Sequence, residues 1–179
     1  MIGFYKYTDK EIRELLKSMV ILVDTREQQW IHIKEWLDSK KIAHKAMKLD
    51  FCDYSFMIPA NPELGIVRDL YFTDKVALER KNSLDEVSGN LTQGRTQFEN
   101  EFIRSNGAKV HLLVENASYE DIVAHRYKTE YNPMSFLASL HSFESRYNLS
   151  LHFIKDNKCS GQFIYFTFYY WLRNYLLNR

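Results

Sequence analysis

The sequence predicts an α/β fold in which a mixed central β-sheet is flanked by helices, and three observations carry that prediction. Short apolar runs, Ile21-Leu22-Val23 and 110–114, read as strands covered on both faces. Segments 54–58 and 75–81 read as neighbouring strands, joined by an extended hairpin excursion that carries Pro59-Ala60-Asn61-Pro62 and Leu64-Gly65. Between such runs lie stretches with apolar residues at helical spacing, which suits helices packed on a sheet.

The elements follow in order. Thr8 caps a helix running to Lys17, with Glu11 completing a capping box and Ile12, Leu15, Leu16 and Met19 as its apolar stripe. A short helix over 31–39 turns Ile33, Trp36 and Leu37 inward, and 42–49 leads through a strand toward Asp53. Ser83, with Glu86 three residues on, caps the helix that follows strand 75–81. Segment 95–105 is helical, with Phe98, Phe102 and Ile103 on its apolar side and Asn106-Gly107 as its stop. Asn132-Pro133 opens a helix through Arg146, and 149–154 is the last strand. The aromatic stretch 163–177 is interrupted by Arg173 and Asn174, and its apolar run is shorter than the roughly 20 residues a membrane span needs. It is expected to be a terminal helix that packs on the sheet or on a partner subunit.

With 179 residues the chain suits one domain: an N-terminal helix packed on the core (1–20), a catalytic core (21–160) and a C-terminal aromatic helix (161–179). A hydrophobic fraction of 45% excludes a disordered chain, and a net charge of +1 excludes a uniformly basic DNA-coating protein but leaves room for a local basic groove. The six histidines lack metal-ligand spacing, which argues against zinc. Cys52 and Cys159 form no pair motif, and Lys10, Glu11, Arg13, Glu14 and Lys17 interrupt any secretory apolar region. A cytoplasmic protein without membrane contact is expected.

The chemistry lies in Asp24, Asp53 and Glu79, with Lys81 two residues after the last. Asp24 ends an apolar strand, and Glu79 follows Val76-Ala77-Leu78. Open α/β sheets place their chemistry at such strand ends. Side chains two apart on a strand share a face, so Glu79 and Lys81 point together while Arg80 points away. Carboxylates without a histidine or thiol set suit Mg²⁺, with Mn²⁺ as substitute, and a neighbouring lysine can orient or deprotonate a water or steady a charged oxygen. These are parts for metal-dependent phosphodiester cleavage.

At these residues the chain resembles the nuclease domain of the XPF-type structure-specific DNA endonucleases. The family signature of Gly-Asp, a spacer, Glu-Arg-Lys, three residues and Asp is matched by Asp53, Glu79-Arg80-Lys81 and Asp85. The upstream Asp-x-Arg-Glu appears as Asp24, Arg26 and Glu27, and the downstream Gly-Arg as Gly94-Arg95. The match runs in family order from Ile21 to about Glu115 and is nearest to small phage- or prophage-type members. Cys52 stands where the family has glycine and reads as a local adjustment of a tight backbone. The long spacer either touches substrate or only lengthens the hairpin. No tandem helix-hairpin-helix follows the nuclease-like region.

The resemblance implies a restriction-endonuclease-like core and an Mg²⁺-dependent endonuclease acting on branched or flap-like DNA in replication, recombination or repair, leaving a 5′-phosphate. It implies Asp24, Asp53 and Glu79 as metal ligands and Lys81 as the residue that positions the attacking water or the phosphate. Glu27 either assists the metal or caps the following helix. Arg26 and Arg80 either pair with acids or contact phosphate, and Asp85 takes a supporting place in a first helical turn. Arg95 either contacts phosphate or pairs with Glu99. One or two ions remain open. A homodimer through the aromatic helix and Phe136, Leu137 and Leu140 is expected from family habit and aromatic content, and a replication or recombination protein is a further candidate partner. The rival readings are a non-catalytic DNA-binding scaffold subunit, and a Holliday-junction resolvase or restriction-like nuclease on the same fold.

Overall fold

The computed structural model describes residues 6–177, so 1–5 and 178–179 of the two expected terminal segments lie outside the described residues. Its strands are β1 (Val20–Val23), β2 (His44–Ala46), β3 (Tyr54–Ile58), β4 (Leu70–Tyr71), β5 (Val76–Lys81), β6 (Lys109–Glu115) and β7 (Leu149–Ile154). The helices are α1 (Asp9–Lys17), α2 (Ile31–Ser39), α3 (Leu84–Thr92), α4 (Arg95–Arg104), α5 (Tyr119–Val123), α6 (Pro133–Arg146) and α7 (Ser160–Leu177).

The strands form one sheet in the order β2-β1-β3-β5-β6-β7, with β4 paired to β3. β1 runs antiparallel to β3 and β3 antiparallel to β5, while β2 on β1, β6 on β5 and β7 on β6 are parallel. It is the mixed sheet that the hairpin-spaced segments require. Alternation along β5 sends Val76 and Leu78 to one face and Ala77 to the other, and each face carries its own core. The first core packs α1, α2 and α7 through Leu15, Leu16, Ile33, Leu37, Ile164 and Phe168. The second packs α3, α4 and α6 through Val87, Leu91, Phe98, Phe102, Phe136 and Phe143. The sheet is therefore the middle of three layers.

Local signals place most ends. Thr8 and Glu11 form the capping box of α1, Ser83 accepts from Glu86 N–H at α3, and Asn132 with Pro133 starts α6. The excursion after β3 is a hairpin: a 3-10 turn at Pro62–Leu64, then β4 pairing back on Met57 and Ile58.

Other expectations need correction. The strand within 42–49 is only His44–Ala46, α7 begins at Ser160, and α5 was not foreseen although Ser118 and Asp121 form a capping box. Ile103 is exposed and Trp36 only half-buried. Phe136 and Leu140 lie buried in the second core, so these two side chains are taken up by the chain itself, while the half-buried Leu137 packs against that core. Amphipathic spacing finds an apolar stripe without saying whether the chain or a partner covers it.

Candidate active site

Three strand ends meet at one edge of the sheet. Val23 lies opposite Tyr54, so Asp24 leaves β1 beside Asp53 as it enters β3, and Asp24 N–H donates to the Asp53 carbonyl at 2.7 Å. Asp53 N–H in turn donates to the Leu78 carbonyl at 3.1 Å, and Arg80 N–H donates to Asp53 Oδ2 at 2.8 Å. Glu79 is thereby seated next to Asp53. The parallel β6 brings Glu115 to the same edge.

Strand alternation then separates two groups of charges. Glu79 and Lys81 share the face of Ala77, where the Lys81 ammonium lies 2.8 Å from Glu79, 3.5 Å from Glu86 and 5.3 Å from the centre of the Phe98 ring. Arg80 turns to the opposite face and forms ion pairs with Glu27 at 3.1 Å and Glu115 at 2.7 Å. Glu115 also meets His32 at 2.8 Å. Structural pairing, one of the two readings for Arg80, is what the geometry shows. Glu27 does not cap α2; besides Arg80 it accepts from Gln29 N–H. Arg26, Glu27, Asp53, Arg80, Lys81 and Glu86 line a cleft of about 320 Å³.

The environment sets the protonation of these groups. Burial, with repulsion from Glu79 next, holds the Asp53 carboxyl well above its usual range. Burial also raises Glu79, partly offset by Lys81. Burial opposes the Lys81 charge, but attraction to and a hydrogen bond with Glu79, joined by attraction to Glu86 and Asp53, together outweigh it and raise this group above the ordinary lysine range. Lys81 therefore stays charged at physiological pH. A raised Lys81 favours orientation of a charged oxygen over deprotonation of a water.

Asp24 is placed differently from the other two acids. Arg26 Nε donates to its Oδ1 at 2.7 Å, while Arg26 Nη2 at 3.1 Å and Leu49 N–H at 2.6 Å donate to its Oδ2. Burial pushes this carboxyl up, but the hydrogen bonds from the Arg26 side chain and from the backbone N–H groups of Leu49 and Arg26 prevail and hold it low. The donor set for a hard divalent cation is thus met in part. The buried Glu79 and the half-buried Asp53 are carboxylates that repel one another, a charge a cation would relieve. Asp24 does not complete the set, and no group of three or more His, Cys, Asp or Glu poised for a metal occurs among the described residues.

Two further candidates lie away from the cleft. Asp85 Oδ1 accepts from Lys128 N–H at 2.6 Å, and Arg95 donates to Ser139 Oγ at 3.3 Å with its guanidinium over Phe143. Glu99, the expected partner of Arg95, instead binds Arg146 and Tyr147. The sequence reading missed Glu115 and His32. Glu115 carried the same signal as Asp24 and Glu79, an acid directly after an apolar strand, whereas nothing local marks His32. Tyr54, fully buried near this network, has a hydroxyl with no hydrogen-bond partner.

The model of the ERCC4 domain matches residues 23–167. No curated relative matches the chain. Among solved structures, XPF from Aeropyrum pernix superposes with a TM-score of 0.60 at 22% identity, covering 83% of this chain and 59% of that one. XPF from Aeropyrum pernix in complex with DNA gives 0.58 at 20% identity, covering 81% and 60%. The chain thus spans about three-fifths of the length of these structures and shares their restriction-endonuclease-like fold. The chain belongs to the ERCC4-domain family.

Proposed function

We propose that this ERCC4-domain chain is a metal-dependent DNA endonuclease that cleaves branched or flap-like DNA. The observation that carries the reading is the adjacent Asp53 and Glu79 carboxylates at strand ends of one sheet, with the Lys81 ammonium 2.8 Å from Glu79. Carboxylates that repel in isolation and a fixed ammonium suit a reaction at a phosphodiester, where negative charge grows on oxygen. Family membership and the likeness to a structure described as an XPF complex with DNA support DNA as the substrate.

Asp53 and Glu79 would hold Mg²⁺, or Mn²⁺ in its place, and Asp24 would join them once Arg26 turns to a phosphate of the DNA. The bound ion would polarise the scissile phosphate and activate water for in-line attack. Lys81 steadies a non-bridging phosphate oxygen, and its ion pair with Glu79 fixes where that charge sits. Arg80, locked by Glu27 and Glu115, presents its backbone N–H to Asp53 and so fixes that carboxylate.

The outer face of α7, with Phe166 and Tyr170 exposed, is the surface through which we place a homodimer, since its other side is taken by the chain's own core. No helix of the described residues is long and apolar enough to cross a membrane.

The test is cleavage of labelled duplex, flap, fork and four-way DNA by the purified chain at fixed ionic strength with Mg²⁺ or Mn²⁺. Cutting should be strongest on the branched substrates, and Asp53→Asn should abolish it while leaving the fold intact. Binding without cleavage of any substrate would make the chain a scaffold subunit instead.

A further inference from the structure

Asp85 and Arg95, motif residues that lie away from the cleft, converge on one segment. Asp85 Oδ1 takes Lys128 N–H at 2.6 Å, and Ser88, one turn along α3, meets Thr129 Oγ1 at 2.8 Å. From α4, Arg95 donates to Ser139 Oγ at 3.3 Å, and that hydroxyl meets the Tyr131 hydroxyl at 2.7 Å. Tyr127 and Tyr131 also lay their rings against Phe136, with centres 5.3 and 5.5 Å apart, and the Tyr127 hydroxyl donates to the Tyr131 carbonyl. Segment 125–131 is therefore fixed from α3, α4 and α6 although it has no regular structure of its own.

The exposed side chains of this fixed segment include three that can be cationic. Arg126 is paired with Asp121 at 2.6 Å, and His125 Nε2 lies 3.0 Å from the Thr129 carbonyl. The exposed Lys128 ammonium has no hydrogen bond or ion pair among the described residues. Its backbone is held at Asp85, in the first turn of α3, whose Glu86 lines the cleft together with the preceding Asn82. Arg26, with a side chain 58% exposed, stands on the β1 side of that cleft. An exposed arginine lining an acid-floored cleft, and an unpaired lysine tied to the helix whose Glu86 lines that cleft, suit a polyanionic backbone.

We propose that segment 125–131 is a second DNA-contacting lip, with Lys128 as its phosphate contact and Asp85 and Arg95 as its positioning residues. This rests on the nuclease reading above. Asp85 then acts as a hydrogen-bond acceptor for one backbone N–H, and Arg95 serves DNA binding through Ser139 and Tyr131 without touching phosphate.

The experiment is fluorescence anisotropy with a labelled flap DNA in chelator, so that nothing is cut, between about 50 and 200 mM salt. Lys128→Ala should weaken binding several-fold and lower the slope of log affinity against log salt by about one. Asp85→Ala should show the same loss, and the double variant no further loss, because both remove one contact. Asp85→Asn, whose amide oxygen still accepts the Lys128 N–H, should retain most of the affinity. Wild-type affinity and slope in Lys128→Ala would overturn the proposal, as would an Asp85→Asn variant as damaged as Asp85→Ala. Thermal melts identify an unfolded Asp85 variant, in which case the surface substitution Lys128→Ala decides alone. Absence of DNA binding by the unaltered chain would count against the nuclease reading itself.

Discussion

Cys52 adopts φ +59°, in the left-handed region, directly before Asp53. The family's glycine answers a backbone requirement, and the substitution here is strained as well as small, which corrects its reading as a local adjustment. Its side chain is buried in the second core, where burial pushes the thiol up. Cys52→Val should cost about 2 kcal/mol or more, because a β-branched residue tolerates positive φ least. Cys52→Gly should stay within about 1 kcal/mol of the parent, as relief of strain offsets lost burial and added chain entropy. Urea unfolding of both variants checks the order, and equal losses would remove the backbone argument. The residue scale is also where spacing failed at Asp24. Adjacency in sequence let Arg26 claim both of its oxygens, a partnership that only the side-chain geometry reveals.

At the scale of elements, α7 packs through Ser160, Ile164, Phe168, Leu172 and Leu176, a regular four-residue step along one face. Its approach to α2 depends on Gly161, where an added Cβ would lie 2.8 Å from Trp36 Cβ and 3.2 Å from the Ile33 carbonyl oxygen. Gly161→Ala should therefore destabilise by about 1 to 3 kcal/mol through overpacking, lowering the urea midpoint without changing the slope. Gly89, within α3, has open space around an added Cβ, so Gly89→Ala should stabilise by up to about 1 kcal/mol. Opposite signs from one chemical change would separate close helix packing from helix propensity, and stabilisation by both would contradict the α2–α7 contact.

For the whole molecule, a half-buried titratable pair on neighbouring strands has a cost that appears in the pH dependence of folding. His111 on β6 and His152 on β7 are 3.0 Å apart, and the ring of Phe163 from α7 lies 4.8 Å from His152. Burial, His152 and Lys109 together lower His111 to about 3, while burial and Lys109 lower His152 against the opposing pull of Glu144. A histidine depressed in the fold contributes fully above its unfolded value of about 6.5, and that contribution falls as the unfolded chain takes up a proton the native one refuses. Stability should thus drop below about pH 6.5, continuing toward pH 3 for His111, at up to about 1.4 kcal/mol per pH unit per proton. His111→Gln should flatten the slope between about pH 6 and 4 in urea unfolding. A slope unchanged by that substitution would assign the acid sensitivity to other groups.

The sequence by itself determined the layer architecture, the caps of α1, α3 and α6 and the edge on which Asp24, Asp53 and Glu79 gather. Those features rest on short-range physics: side-chain period, the hydrogen bonds of Thr8 and Ser83, and apolar runs ending in an acid. Only the tertiary structure decided who pairs with whom. Arg80 binds a Glu115 that lies 35 residues away, Arg95 passes over Glu99 for Ser139, and Asp85 holds a loop 43 residues on. It also decided that Phe136 and Leu140 belong to the chain's own core. An exposed partner and an internal one offer the same apolar or ionic chemistry to a sequence, and the choice between them falls to whichever group the folded sheet brings within contact distance first.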